Sequence, residues 1–566
     1  MNLNIKAKKQ NTYDAIVVGS GISGGWAAKE LCEKGLKTLV LERGRDVKHI
    51  KDYPTMHLKT WELPNSDQVS EEEKKKYQKQ SRTGYTIRES TKHWFVNDLE
   101  NPYTEVKRFD WMRGYHVGGR SIMWGRHSYR WSDLDFEANA KDGFGVDWPI
   151  RYKDIAPWYD YVEEFAGIQG QAEGLPQLPD GKFLPAMQLN CLETHARDKI
   201  LESFPDRLLT IGRTANLSVP HKGRGKCMNR NRCIRGCPYG GYFSSNASTL
   251  PAAEKTGNMT LRPHSIVNSI IYDAESGKAT GVKVIDAESN EMIEYYARII
   301  FLNASALGST FILLNSKSDR FPDGLGNDSG ELGHNLMDHH FRVGARGDYD
   351  GFADKYYSGR RPTGFYIPRF RNVKEQRSDY LRGYGYQGGA GRENWQRGVK
   401  EMSFGADFKN EIVLPGKWTM GMTAFGECLP YHENKVTLNE EVKDKWGQST
   451  LTIDCEFKEN ELTMRKDMAT AAAEMLEAVG MKNIATYDSI GGPGLGIHEM
   501  GTARMGRNPK TSVLNAFNQV HAVPNVFVTD GACMTSAACQ NPSLTYMALT
   551  ARACDHAVKE INRTNL

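Results

Sequence analysis

The 566-residue sequence has no run of about 18 consecutive apolar residues, so no segment is expected to span a membrane. It has little net charge: 73 basic and 69 acidic residues leave +4, too small at this length to predict a nucleic-acid surface. The N-terminus, MNLNIKAKKQNTYDAIVVG, is basic but has no apolar signal core with a cleavage site. The expectation is therefore that this chain carries no export signal of its own. Ten cysteines are present but only three are clustered, which argues against a disulfide framework. No C-x-x-C-H occurs, so any c-type haem must lie on another chain. Internal repeats and low-complexity linkers are also missing.

What remains is the balance of a folded protein, with 39% hydrophobic and 25% charged residues. The length exceeds one ordinary domain of about 150 residues, so two or more units are expected. With no linker between them, they are expected to interleave along the chain. The 55 glycines exceed the usual share of about 7% and predict many tight turns and close backbone contacts.

The run YDAIVV (Tyr13 to Val18) meets GSGISGG, then a helical pattern to Leu31, then KTLVLERG. This is strand, Gly-rich turn, helix and strand, one βαβ unit. EEEKKKYQK (71–79) is charged on all sides and reads as a solvated helix. From Met259 to Asn303 alternating runs broken by SGK and ESNE read as a meander of hairpins. Residues 349–489 read as aromatic-rich strands with one helix around Thr463 to Val479. The closing stretch NPSLTYMALTARACDHAVKEIN reads as an amphipathic helix, with Pro542 suited to its first position and Asn541 to its cap.

Gly19, Gly21 and Gly24 form G-x-G-x-x-G between the first strand and its helix. The first glycine permits the turn, the second lets backbone approach a pyrophosphate, and the third lets helix pack on sheet. Phosphates there meet helix N–H groups and the positive end of the helix dipole. Glu42, eighteen residues past Gly24, ends the second strand where a carboxylate can hold ribose hydroxyls. The fingerprint serves FAD and NAD alike; its place at the extreme N-terminus favours FAD.

Two further stretches are GLGIHEMGTARMG, with His498, and VTDGACMTSAACQNPSLTYMALTARA, with Asn541. With the fingerprint, RGYHVGGRSIMWG (Arg113 to Gly125) and ELGHNLMDHH (Glu331 to His340), they resemble the glucose–methanol–choline (GMC) oxidoreductase family from first strand to last helix. The resemblance implies an α/β + β fold, a Rossmann-like FAD-binding domain interleaved with a substrate domain built on an antiparallel sheet. Residues 1–50, 108–130, 191–340 and 490–566 would form the first, with a cysteine segment, 221–241, inserted. Residues 51–107, 131–190 and 341–489 would form the second with its lid segments.

The family pairs a His from H-x-x-G-T with a His or Asn of the C-terminal segment. His498-Glu-Met-Gly501-Thr502 and Asn541 match these positions. Alcohol oxidation needs a base for the hydroxyl proton while hydride leaves the carbon, and a near-neutral imidazole suits it. Asn541 can bond the hydroxyl but cannot take its proton, which makes His498 the expected base. A helix start near Pro542 and Ser543 would stabilise the negative charge of reduced flavin. By the same resemblance Asp530 and Gly531 contact the ribityl-phosphate region, Gly118, Gly119 and Ser121 run along the isoalloxazine, and the backbone of Val267 holds adenine. Met123 stands where some relatives attach flavin to a histidine, so FAD is expected to be non-covalent. The stretch Ser305 to Ser318 lacks the family's closing S-G-[LIVM]-G, the mark of a remote member. Trp124, Trp131 and Trp418 are candidates to stack on sugar faces.

KCMNRNRCIRGCPYGG places Cys227, Cys233 and Cys237 in C-x5-C-x3-C-P. Three readings stay open on the residues alone: unligated thiols, a zinc site completed by His221, or a cuboidal iron–sulfur cluster lacking one iron and needing three thiolates. Arg224, Lys226, Arg230, Arg232 and Arg235 would offset cluster charge or serve as plain surface charges. The segment resembles that of GMC dehydrogenase large subunits, among them flavin-dependent glucose dehydrogenases and glucoside 3-dehydrogenases of bacteria. That resemblance implies a 3Fe-4S cluster and electron transfer to a cytochrome c-type acceptor. It also implies a small signal-bearing partner subunit and export with it to the periplasm, a cytoplasmic location being the alternative. The expected reaction is oxidation of a secondary alcohol of a sugar or glycoside, best the C3 hydroxyl of a glucoside to a 3-keto-glycoside. The competing readings are a glucose C1 dehydrogenase giving a lactone, an oxygen-using oxidase, and a flavin-binding scaffold without turnover.

Overall fold

The computed structural model describes residues 10–357, 359, 361–393 and 404–566. Its first sheet is built on parallel strands in the order Val523–Val528, Met292–Leu302, Thr12–Val18, Thr38–Leu41, Met259–Arg262. Val18 lies opposite both Leu41 and Leu302, and Val528 lies opposite Leu302. The carboxyl ends of four strands are thereby level, and Gly19, Glu42, Asn303 and Thr529 leave the sheet along one edge. In a parallel sheet that edge is where ligands bind.

Strand alternation supplies the layers on either face. Ala15 and Val17 join a core with Leu31, Phe527, Ala553 and Ile561, beneath the helices Ile22–Glu33 and Ser543–Asn562. Ile16 and Val18 enter the larger core on the opposite face. Burial on both sides explains why the strands read as unbroken apolar runs. The expected hairpin meander is present as antiparallel pairs from Ser265–Asp273 through Lys278–Asp286 to Met292–Leu302.

A second sheet, of six strands, follows the order Lys482–Asp488, His339–Tyr349, Trp418–Glu427, Tyr384–Arg392, Phe365–Ile367, Thr210–Ile211, with every pairing antiparallel. Trp418, Met420, Met422 and Ala424 point to one side, against Met464, Met468 and Met475 of the helix Glu459–Val479. Gln387 alternates with the buried Tyr384 and Tyr386 and so faces away from that helix, toward the first unit. A third, three-stranded sheet joins Thr104–Glu105, Lys435–Lys443 and Ser449–Asp454.

Several local expectations change. The helix Cys191–Ser203, grouped by sequence with the cofactor unit, packs Leu192, Ala196 and Ile200 into the core of the six-stranded sheet, whereas the helix Tyr152–Ala166, grouped with the substrate unit, packs Ile155, Tyr159 and Val162 into the core shared with Ile16 and Val18 of the first sheet. The charged 71–79 stretch is one α-turn, Glu71–Lys74, running into a 3-10 turn, Lys75–Tyr77. Pro542, rather than Asn541, occupies the cap of the last helix; its ring has no acceptor to offer, and the Asn541 side chain is turned to other partners. Among the described residues no helix is long and apolar enough to cross a membrane.

Candidate active site

The strand-end edge opens into a cavity lined by Gly19, Gly21, Glu42, Asn303, Asp530 and Gly531, with Val267 toward one end and His498 and Asn541 toward the other. The three fingerprint glycines have three distinct surroundings. A Cβ at Gly19 would stand 2.3 Å from the Asn303 carbonyl oxygen, and its φ is +94. One at Gly24 would stand 1.9 Å from the Gly19 carbonyl oxygen, so that glycine lets the helix close on the turn. One at Gly21 would meet nothing within 4 Å. Gly21 is therefore the bare point that faces the cavity.

Glu42 accepts from the Ser20 hydroxyl at 2.5 Å and from the N–H groups of Ser20 and Gly44 at 3.2 and 3.0 Å. Burial pushes its carboxyl up, and these bonds oppose that. A carboxylate has about four acceptor sites, so capacity remains for ribose hydroxyls. Asn303 leaves its buried Nδ2 without a partner beside the cavity. An open backbone cradle with an orphaned donor fits the pyrophosphate of FAD.

Gly118 and Gly119 bend the adjoining loop at φ +88 and +48. The Gly118 N–H donates to Ser20 Oγ at 2.9 Å, and Ser121 Oγ donates to the Gly118 carbonyl at 2.6 Å. Gly119 and Ser121 face the cavity, whereas Gly118 and Gly24 support it from behind. Asp530 accepts from Ser309 Oγ at 2.5 Å, and burial lifts its carboxyl to about 6. Ser543, rather than Pro542, supplies the helix start on the cavity wall.

His498 and Asn541 stand where this cavity meets a second one, with Asn541 Nδ2 3.4 Å from His498 Nε2. Asn541 Oδ1 accepts from Gln387 Nε2 at 2.7 Å. On its other side His498 Nδ1 lies 2.7 Å from Nδ1 of His339, whose Nε2 is 2.8 Å from the Ala538 carbonyl oxygen. Burial first, then the neighbouring His339, Arg120 and His127, hold the His498 imidazole well below its usual range. A neutral ring at physiological pH is the form a base requires.

Asp338 holds this loop in place. Its carboxylate accepts backbone N–H bonds from Gly494, Gly496 and His498 at 2.7, 2.9 and 3.0 Å. Ile497, just before His498, has φ +63, a conformation costly for a β-branched residue and typical of strained functional loops. Arg120 forms a two-pronged ion pair with buried Glu499 at 3.0 and 2.8 Å on the same wall. His339, Asp338, Arg120 and Glu499 lie inside motifs quoted above, yet no sequence pattern distinguishes their roles. Gln387 sits in an unmarked strand and carries no sequence signal.

The second cavity is lined by Cys227, Cys233 and Cys237 as well as His498, Asn541, Arg361 and Gln387. The three cysteines thus share one wall of the site. However, among the described residues no group of three or more His, Cys, Asp or Glu side chains is gathered closely enough to hold a metal ion. His221 Nε2 donates to the Glu164 carbonyl at 2.7 Å, and His221 is not gathered with the cysteines into such a group, so the zinc reading has no support in the geometry. Cys227 Sγ accepts from Asn229 N–H at 3.5 Å and Cys237 Sγ from Gly241 N–H at 3.3 Å. Burial pushes both of these thiols up, so as free groups they keep their protons.

Arg230, Arg232 and Arg235 donate to the successive carbonyls of Met56, His57 and Leu58. Those bonds leave the positive charge beside the cysteines largely uncompensated; Asp67, 3.3 Å from Arg235, is its one carboxylate partner among the described residues. Arg224 is buried and donates to the Ala166 carbonyl, and Lys226 is exposed. Of the tryptophans, Trp124 lines both cavities, whereas Trp131 and Trp418 are 0% and 1% exposed and belong to the two cores.

Family models described as GMC oxidoreductase match residues 13–341 and 430–550. The chain is 29% identical to a 2-methyl-1,2-propanediol dehydrogenase of Mycolicibacterium austroafricanum, over 96% of this chain and 94% of that one. It is 24% identical to the large subunit of a fructose dehydrogenase of Gluconobacter japonicus, over 97% and 98%. Among solved structures, a formate oxidase of Aspergillus oryzae superimposes with a TM-score of 0.61 over 98% of this chain and 99% of that chain at 14% identity, a likeness of fold.

Proposed function

The chain belongs to the GMC oxidoreductase family, and from that premise we propose that it is an FAD-dependent dehydrogenase oxidising a secondary alcohol of a sugar or glycoside. The C3 hydroxyl of a glucoside, giving a 3-keto-glycoside, is the preferred substrate position. The observation that carries the reading is the His498–Asn541 pair, 3.4 Å apart at the junction of the two cavities. FAD, bound without a covalent link in the first cavity, supplies the two-electron acceptor for the carbinol hydride. His498 Nε2 takes the hydroxyl proton, Asn541 Nδ2 orients the hydroxyl oxygen, and Asp338 holds the His498 backbone. The second cavity supports a sugar by its polar Gln387, Thr363 and Arg361 set against the stacked Phe341 and Phe425.

Cys227, Cys233 and Cys237 would hold a 3Fe-4S cluster, which supplies one-electron exit to an external carrier when bound. A cluster spreads its thiolates over its own width, so it does not need the three sulfurs to converge on one atom as a zinc ion does. The basic residues beside it would offset its charge. The relative named as a large subunit supports assembly with partner subunits. A small signal-bearing subunit, a cytochrome c-type acceptor and a periplasmic location complete this reading.

Anaerobic mixing with a panel of methyl glycosides, free sugars and small diols tests the substrate. Flavin bleaching by a methyl glucoside with a 3-keto product supports the proposal; a lactone from free glucose moves the chemistry to C1. Bleaching only by small diols would replace the sugar reading, as the relative acting on 2-methyl-1,2-propanediol suggests. Low-temperature EPR with iron and sulfide assays on anaerobically prepared protein tests the cluster. Iron-free, EPR-silent protein that makes peroxide rapidly would establish an oxidase instead.

A further inference from the structure

An imidazole base has two nitrogens, and the hydroxyl proton can go only to the one that faces the substrate with a free lone pair. Which nitrogen is free depends on what the other one bonds. For His498 that partner is His339, whose ring stands at 88° to it with centroids 4.8 Å apart.

The two Nδ1 atoms are 2.7 Å apart, so one donates and the other accepts. The far nitrogen of His339 decides between them. It is 2.8 Å from the Ala538 carbonyl oxygen, which can only accept, so Nε2 of His339 carries a proton. Burial lowers His339 to about 4, leaving the ring neutral near pH 7 with that single proton. Its Nδ1 therefore accepts, and His498 Nδ1 donates. His498 is neutral as well, so its Nε2 is the bare nitrogen, 3.4 Å from Asn541 Nδ2. Before substrate binds, Asn541 donates to that nitrogen through Nδ2 over a long 3.4 Å contact, which the substrate hydroxyl replaces, and it accepts from Gln387 through Oδ1 at 2.7 Å. All four bonds run in one sense, from Gln387 to Ala538.

We propose that His339 is a positioning residue: by donating to the Ala538 carbonyl it fixes His498 as the Nδ1–H tautomer and so makes Nε2 the proton-accepting atom. The proposal rests on His498 being the base of the proposed reaction. When the substrate O–H breaks and a proton arrives at Nε2, the His498 Nδ1–H bond to His339 stays in place and becomes charge-assisted. No second proton has to move. The titratable and charged groups facing the pair are Arg120 with Glu499, and Asp338, whose carboxyl burial raises to about 7; His127 adds a neutral ring. Positive-φ backbone flanks the relay beside His498, with Ile497 at φ +63, and at its far end, with Ala538 at φ +54.

Two substitutions at one site test this. His339→Asn keeps an acceptor oxygen close to where Nδ1 stands, and His339→Leu keeps bulk without an acceptor. With an alcohol that bleaches the flavin, H339L is expected to slow flavin reduction about 10- to 100-fold with little change in substrate half-saturation, and H339N to restore most of the rate. Nitrogen-15 spectra of histidine-labelled wild-type protein, with the His498 signals identified by their loss in H498Q, are expected to show the proton at Nδ1 and none at Nε2. A proton at Nε2, or equal rates for H339L and H339N, overturns the proposal. The spectra need no substrate. If no alcohol bleaches the flavin, the proposed function fails while the tautomer assignment is still decided.

Discussion

Replacing Gly21 with alanine separates the two jobs that the fingerprint glycines perform. Gly21 caps the first helix at φ −68, a conformation open to any residue. A methyl group there has nothing within 4 Å, because it projects into the cavity. The fold of the flavin-free protein is therefore expected to change by less than about 1 kcal/mol, the scale of a cap substitution. FAD has to bring its pyrophosphate against that same backbone. Losing one charge-assisted hydrogen bond there costs about 1.5–3 kcal/mol, or roughly 10- to 100-fold in Kd. Gly24→Ala is the contrast. Its methyl would lie 1.9 Å from a backbone oxygen that no rotamer change can move, so the helix must lift from the turn. Overpacking of this kind costs about 1–3 kcal/mol or more in the fold itself. The assays are thermal unfolding of flavin-free protein and FAD titration followed by flavin fluorescence. G21A binding FAD as tightly as wild type, or destabilising the flavin-free fold as much as G24A, would refute the placement of the pyrophosphate.

His498→Gln should retain bound flavin but lower the rate of anaerobic flavin reduction about 10²- to 10⁴-fold, the usual contribution of a positioned base. Arg120→Gln leaves Glu499, whose side chain is 2% exposed, without its cation; a loss of about 3–5 kcal/mol is expected, read as a lower unfolding midpoint. His339 is lowered from 6.5 to about 4 by burial, so below pH 6.5 the unfolded chain binds a proton that the folded one refuses. Its contribution to stability is thus complete above pH 6.5 and is lost as pH falls toward 4, by on the order of 3 kcal/mol. Asp338, raised to about 7 by burial, acts in the opposite sense between its ordinary 3.8 and that value, so the comparison of H339N with wild type across this range isolates the histidine. Joint replacement of Cys227, Cys233 and Cys237 by serine should leave substrate bleaching of the flavin intact while abolishing transfer to a one-electron acceptor. Loss of bleaching as well would tie the segment to the substrate pocket.

Much of the cofactor side was legible because its signals are local. The turn at Gly19 to Gly24, the strand ending at Glu42 and the meander after Met259 are each set by a few consecutive residues and their periodicity. His498 and Asn541 were readable as motif positions. The boundary near 191 was misread because an amphipathic helix looks the same whichever sheet it packs on. Of the candidate sugar-stacking tryptophans, Trp131 and Trp418 take the core alternative, because residue type does not reveal whether an aromatic ring ends in a core or on a cavity wall.

The amino-acid sequence by itself determined the dinucleotide turn, the motif positions of His498 and Asn541, and the presence of three closely spaced thiols. These depend on the chemistry of single side chains and on steric rules over a few residues. Only the tertiary structure decided that His339, at the start of an inner strand of the antiparallel sheet, meets His498, from the C-terminal loop of the other unit. Only it turned the Asn541 side chain toward the base and away from capping its helix, and only it put the cysteines on the wall of the same cavity. The proposed proton position depends on hydrogen bonds of 2.7–2.8 Å between groups far apart in the chain, and those contacts exist only once the two sheets have closed on each other.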